Sequence, residues 1–131
     1  MSREIKFRAW DKDEKRMLEV YRIGFDGPID GAQVYCYLDD RGAKGSKECF
    51  YDGDGLTLEQ FTGLLDAKGQ EIYEGDIVQV DPDDPPYRVF FDEGKFQIEG
   101  NGVVYELGEV YMDCEVIGNV FETPELVEAN K

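Results

Sequence analysis

The chain has 131 residues, a formal net charge of −16 and no histidine. Its length suits one domain, or a domain with a smaller lobe, and 41 % apolar residues with 8 Phe and 8 Tyr exclude global disorder. Without histidine, a Ser-His-Asp or Cys-His nucleophilic site is excluded within one chain, and the commonest transition-metal ligand is missing.

The opening EIKFRAWDKDEKRMLEVYRIGF reads as a β-hairpin. Ile5, Phe7 and Ala9 alternate with Lys6, Arg8 and Trp10, DKDEK turns the chain, and MLEVYRI returns. GFDGPIDGAQ, residues 24–33, is turn chemistry. AQVYCYL is β-branched and aromatic and predicts a strand. DDRGAKGSKE, residues 39–48, is the most loop-like segment and is expected to be mobile. CFYD predicts a short strand. LTLEQ is expected to make a helical turn capped by Asp54 or Thr57.

From Phe61 onward short strands are punctuated by glycine. QFTGLLD and QEIYE flank AKG, a hairpin loop with Gly69 at a positive-φ position. DIVQV predicts a strand. DPDDPP is barred from a central strand, because its three prolines donate no ladder hydrogen bond. RVFFD and KFQIEG flank a turn at Asp92-Glu93-Gly94. VVYEL and CEVIGNVFE supply two more strands. Thr123 as N-cap and Pro124 at the first helical position start a short terminal helix, and EANK frays. Strands and tight turns in this rhythm, with no long amphipathic helix, predict a small barrel. Val78, Val80, Phe90, Val104 and Ile117 are expected to be its buried positions.

The charge is uneven. Residues 1–50 carry 10 basic and 10 acidic side chains, and residues 51–131 carry 4 and 20. Such a surface repels phosphate backbones and anionic membranes, so neither direct nucleic-acid binding nor membrane binding is expected. It serves solubility, or attracts a basic protein. Arg3, Lys6, Arg8, Lys12, Lys15 and Arg16 suggest a basic patch, but Glu4, Asp11, Asp13 and Glu14 interleave with them, which favours a mixed solvated face. Cys36, Cys49 and Cys114 are odd in number and widely spaced, which reads as reduced thiols in a cytoplasmic protein. No apolar run is long enough to span a bilayer, and the N-terminus has no secretory pattern.

Individual motifs yield no site. In DGDG, Asp54 and Gly55 fit positions five and six of a calcium loop, but Phe50 and Phe61 then stand where ligands are needed, leaving a glycine turn. Asp81, Asp83 and Asp84 lie on a stiff proline loop that reads as solvated surface. The glycines at 63, 69 and 75 match neither phosphate-binding fingerprint, and Asp66, Glu71, Glu74 and Asp76 oppose phosphate. Tyr21, Tyr35, Tyr37, Tyr51, Tyr73, Tyr87, Tyr105 and Tyr111 suit either sheet packing or an interface. No catalytic, cofactor-binding or metal-binding residue is assigned, and no cofactor is expected.

REIKFRAWDKDEKRML, FTGLLDAKGQEIYEGDIV and EVIGNVFETPEL together resemble the YopX family, small proteins of phages and prophages. The resemblance spans both ends and the middle of the chain; residues 24–50 match nothing characteristic. It implies a mainly β fold, with an irregular N-terminal β lobe over residues 1–58 and a C-terminal SH3-like barrel with a short terminal helix over residues 59–131. It assigns no catalytic residue. The expected function is a non-enzymatic accessory protein in the host cytoplasm, acting on a protein partner and forming a homo-oligomer. An acidic DNA mimic that inhibits a host nucleic-acid-binding protein is the first alternative. A carboxylate-dependent enzyme is the second.

Overall fold

The computed structural model describes residues 4–27 and 31–128. The chain divides at Gln60–Phe61 into an N-terminal unit, Ile5–Gln60, and a C-terminal unit from Phe61 onward. The fold is mainly β, and its ladders are antiparallel. Among the described residues no helix is long and apolar enough to cross a membrane. Of the sequence features above, Arg3, the Pro28–Asp30 part of the turn segment and the terminal residues 129–131 lie outside the described residues.

The N-terminal unit contains β1 (Phe7–Asp11), β2 (Arg16–Gly24), β3 (Gln33–Tyr37), β4 (Lys47–Tyr51) and the first half of β5 (Leu56–Leu65), in the order β4-β3-β2-β1-β5. The opening hairpin forms as expected, with Ala9 opposite Leu18 and Asp11 opposite Arg16. Asp11 shapes its turn: Oδ1 accepts the N–H groups of Asp13 and Glu14, and Oδ2 accepts Arg16 Nε at 3.1 Å. Ala9, Leu18, Val34, Cys36 and Leu56 make the buried cluster. Burying an aliphatic side chain of this kind contributes about 1.5–3 kcal/mol.

LTLEQ is not a helical turn. It is the start of β5, paired with β1 from Leu56↔Asp11 to Gln60↔Phe7. The reason is tertiary: Leu56 joins the buried cluster, and buried Glu59 meets Arg8 Nε at 2.9 Å, which a local helical turn could not provide. Residues 39–48 are not wholly irregular. They hold a 3-10 turn at Gly42–Lys44, and β4 begins at Lys47. Asp39 ties this segment together by accepting from the Arg41 guanidinium and from the Arg41 and Ser46 N–H groups. Those bonds, the Arg41 side chain first, hold its carboxyl down at about 2.

The C-terminal unit contains the rest of β5, then β6 (Glu71–Tyr73), β7 (Asp76–Gln79), β8 (Tyr87–Asp92), β9 (Lys95–Gly100), β10 (Val103–Glu106), α1 (Leu107–Val110), a 3-10 turn at Tyr111–Asp113, β11 (Glu115–Asn119) and α2 (Glu125–Glu128). Five strands run in the order β10-β9-β8-β7-β11, a meander with the last strand added beside the first, consistent with an SH3-like small barrel. The AKG hairpin forms with Gly69 at φ 85°. Asp81–Pro86 is a turn, and the Asp92–Lys95 hairpin closes as expected.

The core is Ile72, Val78, Tyr87, Val89, Ile98, Leu107 and Cys114. Of the five positions expected to be buried, Val78 is. Val80 is half-buried and packs against this cluster, and Phe90 and Ile117 are half-buried. Val104 is 51 % exposed. The alternation is broken because Ile77 and Val78, successive residues on opposite faces of β7, are both fully buried. Leu107 leaves its strand and buries at the start of α1. Thr123 precedes α2, yet its hydroxyl turns back, accepting from Asn119 N–H and donating to Asn119 O.

Candidate functional site

Two groups of side chains could carry function: the polar residues of the signature phrases and the tyrosines. The first group is committed to architecture. Asp66 is 6 % exposed. Its Oδ1 accepts the N–H groups of Lys68 and Gln70 at 2.9 and 2.8 Å, and its Oδ2 accepts that of Val116 at 2.9 Å. Burial pushes its pKa up. The three backbone N–H groups and the Lys68 charge outweigh that and hold it below the ordinary aspartate value. Asp66 thereby locks the hairpin loop to β11 across fifty residues of sequence.

The same commitment recurs along both phrases. Thr62 Oγ1 donates to Ile72 O at 2.7 Å and accepts Leu64 N–H. Asp76 Oδ2 accepts Tyr73 N–H at 2.7 Å. Gly75, at φ 86°, donates to Val89 O and accepts from Val120, so it stitches β8 to the residues after β11. Asn119 Oδ1 accepts the N–H groups of Phe121 and Glu122. Gly118 lies so close to Thr123 that a Cβ there would overlap its hydroxyl. These residues hold backbone in place.

The acidic motifs behave likewise. Asp52 Oδ1 accepts Leu58 N–H, and Gly53 and Gly55 turn the chain from β4 into β5. Asp81 Oδ1 accepts Asp83 N–H at 2.9 Å, an Asx turn on exposed surface. The basic residues of the opening hairpin do not form one cationic face, because Arg8 pairs with Glu59 and Arg16 with Asp11. Cys36 and Cys114 are buried, and burial pushes each thiol up to about 11, so both are unreactive. Cys49 is exposed.

The tyrosines of the N-terminal unit are brought together differently. Tyr35 and Tyr37 are two residues apart on β3, so both rings leave the same face, opposite buried Val34 and Cys36. Across from them β2 bulges between Val20 and Arg22. The extra residue puts both Tyr21 and Arg22 on the tyrosine side, and both are exposed. Tyr21 stacks on Tyr37 with centroids 4.5 Å apart and leans on Tyr35 at 6.1 Å. The Arg22 guanidinium lies 4.9 Å from the Tyr35 ring, and Lys47 Nζ lies 5.8 Å from the Tyr21 ring. Cys49 stands opposite Tyr35 on β4. Sequence reading named these three tyrosines among eight but did not group them. The Y-x-Y spacing on a strand was the available signal; the β2 bulge that adds Arg22 to the face, and the β3–β4 pairing that sets Lys47 opposite Tyr37, had none.

Tyr73 packs against Phe61, and Tyr87, itself buried, against Tyr105.

No curated protein matches the chain. The crystal structure of protein EF1440 from Enterococcus faecalis is similar, with 32 % identity and a TM-score of 0.65, covering 96 % of this chain and 99 % of that one. The family described as YopX protein matches residues 6–128, from the opening hairpin through α2. With the signature phrases tying the hairpin loop, β7 and the segment after β11 together, and with that match running nearly end to end, the chain belongs to the YopX family.

Proposed function

We propose that the chain is a non-enzymatic accessory protein of a phage or prophage, acting through protein–protein contact in the host cytoplasm. The observation that carries this reading is the tyrosine face of the N-terminal unit. Three rings and two cations are gathered on one side of a sheet, in a unit whose core lies on the other side. Tyrosine supplies large, rigid contact area at low entropic cost, and arginine accompanies it at interface centres.

The first occupant of that face is a second copy. Residues 5–60 carry 9 basic and 12 acidic side chains, whereas residues 61–131 carry 4 and 17. Two C-terminal units repel one another, and two N-terminal units scarcely do. A symmetric oligomer therefore forms through the N-terminal face with the acidic units outward. Light scattering at about 50 and about 300 mM salt tests this. The expected mass exceeds the monomer and grows with salt, and Cys49 reacts with a maleimide more slowly in the assembly. The double variant Tyr21→Ser, Tyr37→Ser returns the monomer mass. A monomer mass for the unaltered chain at both salts, across micromolar concentrations, overturns the assembly.

The excess of carboxylates in the C-terminal unit supports a second reading, mimicry of DNA toward a host nucleic-acid-binding protein. Purified basic DNA-binding proteins captured equally by the unaltered chain and the double variant would favour it.

A further inference from the structure

One end of the C-terminal sheet is open. β10 pairs with β9 from Val103↔Gly100 to Glu106↔Gln97, and no strand lies beyond it among the described residues. The connection is the two-residue turn Asn101-Gly102, with φ 52° and 77°, a type I′ turn. Such a turn makes Gly100 and Val103 a hydrogen-bonded pair. The antiparallel ladder then alternates, so Val104 and Glu106 direct their N–H and C=O groups away from β9 and out of the sheet.

This edge is also apolar. All four residues of β10 are exposed, with Val103 at 38 %, Val104 at 51 % and Tyr105 at 45 %. The strand VVYE contains no proline or lysine, the residues that usually blunt an edge. Val103 and Tyr105 leave one face; Val104 and Glu106 leave the other. Carboxylates surround the second face. Glu99 stands opposite Val104, with Arg88 4.0 Å away. Glu106 holds Lys95 at 2.6 Å, and Glu93 and Glu109 bear on the same lysine.

We infer that the free edge of β10 takes an extended, basic segment of another protein as an added strand. Its backbone bonds to the outward groups of Val104 and Glu106. On one face its apolar side chains rest on Val103 and Tyr105, and on the other its lysines or arginines meet Glu99, Glu106 and Glu109. Charge selects this occupant over a second copy of β10, which would bring two strongly acidic units edge to edge. The inference rests on a protein-binding role for the chain, but on a different unit from the tyrosine face.

The test uses the full chain and three fluorescent decapeptides: alternating lysine and valine, alternating lysine and proline, and alternating glutamate and valine. The lysine–proline peptide has the charge of the first but cannot donate to a ladder. Anisotropy should show the lysine–valine peptide binding at least about tenfold more tightly than either control. Amide shifts should centre on β9 and β10. Val104→Pro removes an outward donor and no bond to β9, and should weaken binding at least about tenfold in a chain with unchanged circular dichroism. Should Val104→Pro fail to fold, Val104→Lys places a repelling charge at the same exposed position and is read instead. Equal binding of the two lysine peptides, or undiminished binding by a folded edge variant, overturns the inference. The double tyrosine variant should bind the peptide unchanged. Loss of assembly with retained peptide binding, or the reverse, therefore shows which of the two surfaces fails.

Discussion

The two units spend their polar side chains in opposite ways. In the C-terminal unit, Thr62, Asp66, Asp76 and Asn119 turn inward and bond to backbone N–H or C=O groups. In the N-terminal unit Asp11 and Asp39 shape turns similarly, but Tyr21, Arg22, Tyr35 and Lys47 gather on an open face. The difference separates polar side chains spent on holding backbone from polar and aromatic side chains left on an open face. The signature phrases lie mostly in the first set. The tyrosine face falls largely in the segment, residues 24–50, that resembles nothing characteristic.

The sharpest way to break this comparison is Val78→Asp. Val78 is fully buried, so the substitution buries a carboxylate in the core of the acidic unit. It should prevent soluble folding, a loss of more than about 4 kcal/mol. The same change at exposed Val104 should cost under about 0.5 kcal/mol. Equal melting temperatures for the two variants would show that the face assignment is wrong.

Asp66→Ala comes next. It leaves three N–H groups without their acceptor, an expected loss of about 3 kcal/mol in urea denaturation. The acid dependence follows from sign. Asp66 is depressed in the folded chain, so its contribution is full above the unfolded aspartate value, about 3.9, and fades as pH falls through the lower folded value. The variant should therefore lose less stability on acidification than the unaltered chain. A parallel pH profile would remove Asp66 from the account.

The double variant Tyr21→Ser, Tyr37→Ser sharpens the comparison from the other side. It should change stability by only about 1 kcal/mol, since the stacked pair contributes on that order, while abolishing assembly. A collapse of stability would make the tyrosines packing residues after all. The smallest effect is chemical. Cys49 should label with a maleimide in the folded chain, whereas Cys36 and Cys114 should wait for unfolding.

By itself the sequence determined the fold class, most strands and the turns. Period-two alternation needs a half-buried sheet, and D-E-G and proline-rich stretches admit few backbone conformations. It also carried the resemblance to the family, in phrases whose polar and glycine residues serve local backbone needs. Tertiary structure alone decided the rest. LTLEQ became a strand because β1 lies beside it and Arg8 awaits Glu59, a partner fifty-one residues away. Val104 became an edge residue because β10 is the last strand in its row, and alternation says which residues share a face without saying whether anything covers it. Alternation alone places Tyr21 on the side of Tyr35 and Tyr37, but a single bulge in β2 set Arg22 opposite Tyr35 as well, and that bulge left no trace in the pattern of residues.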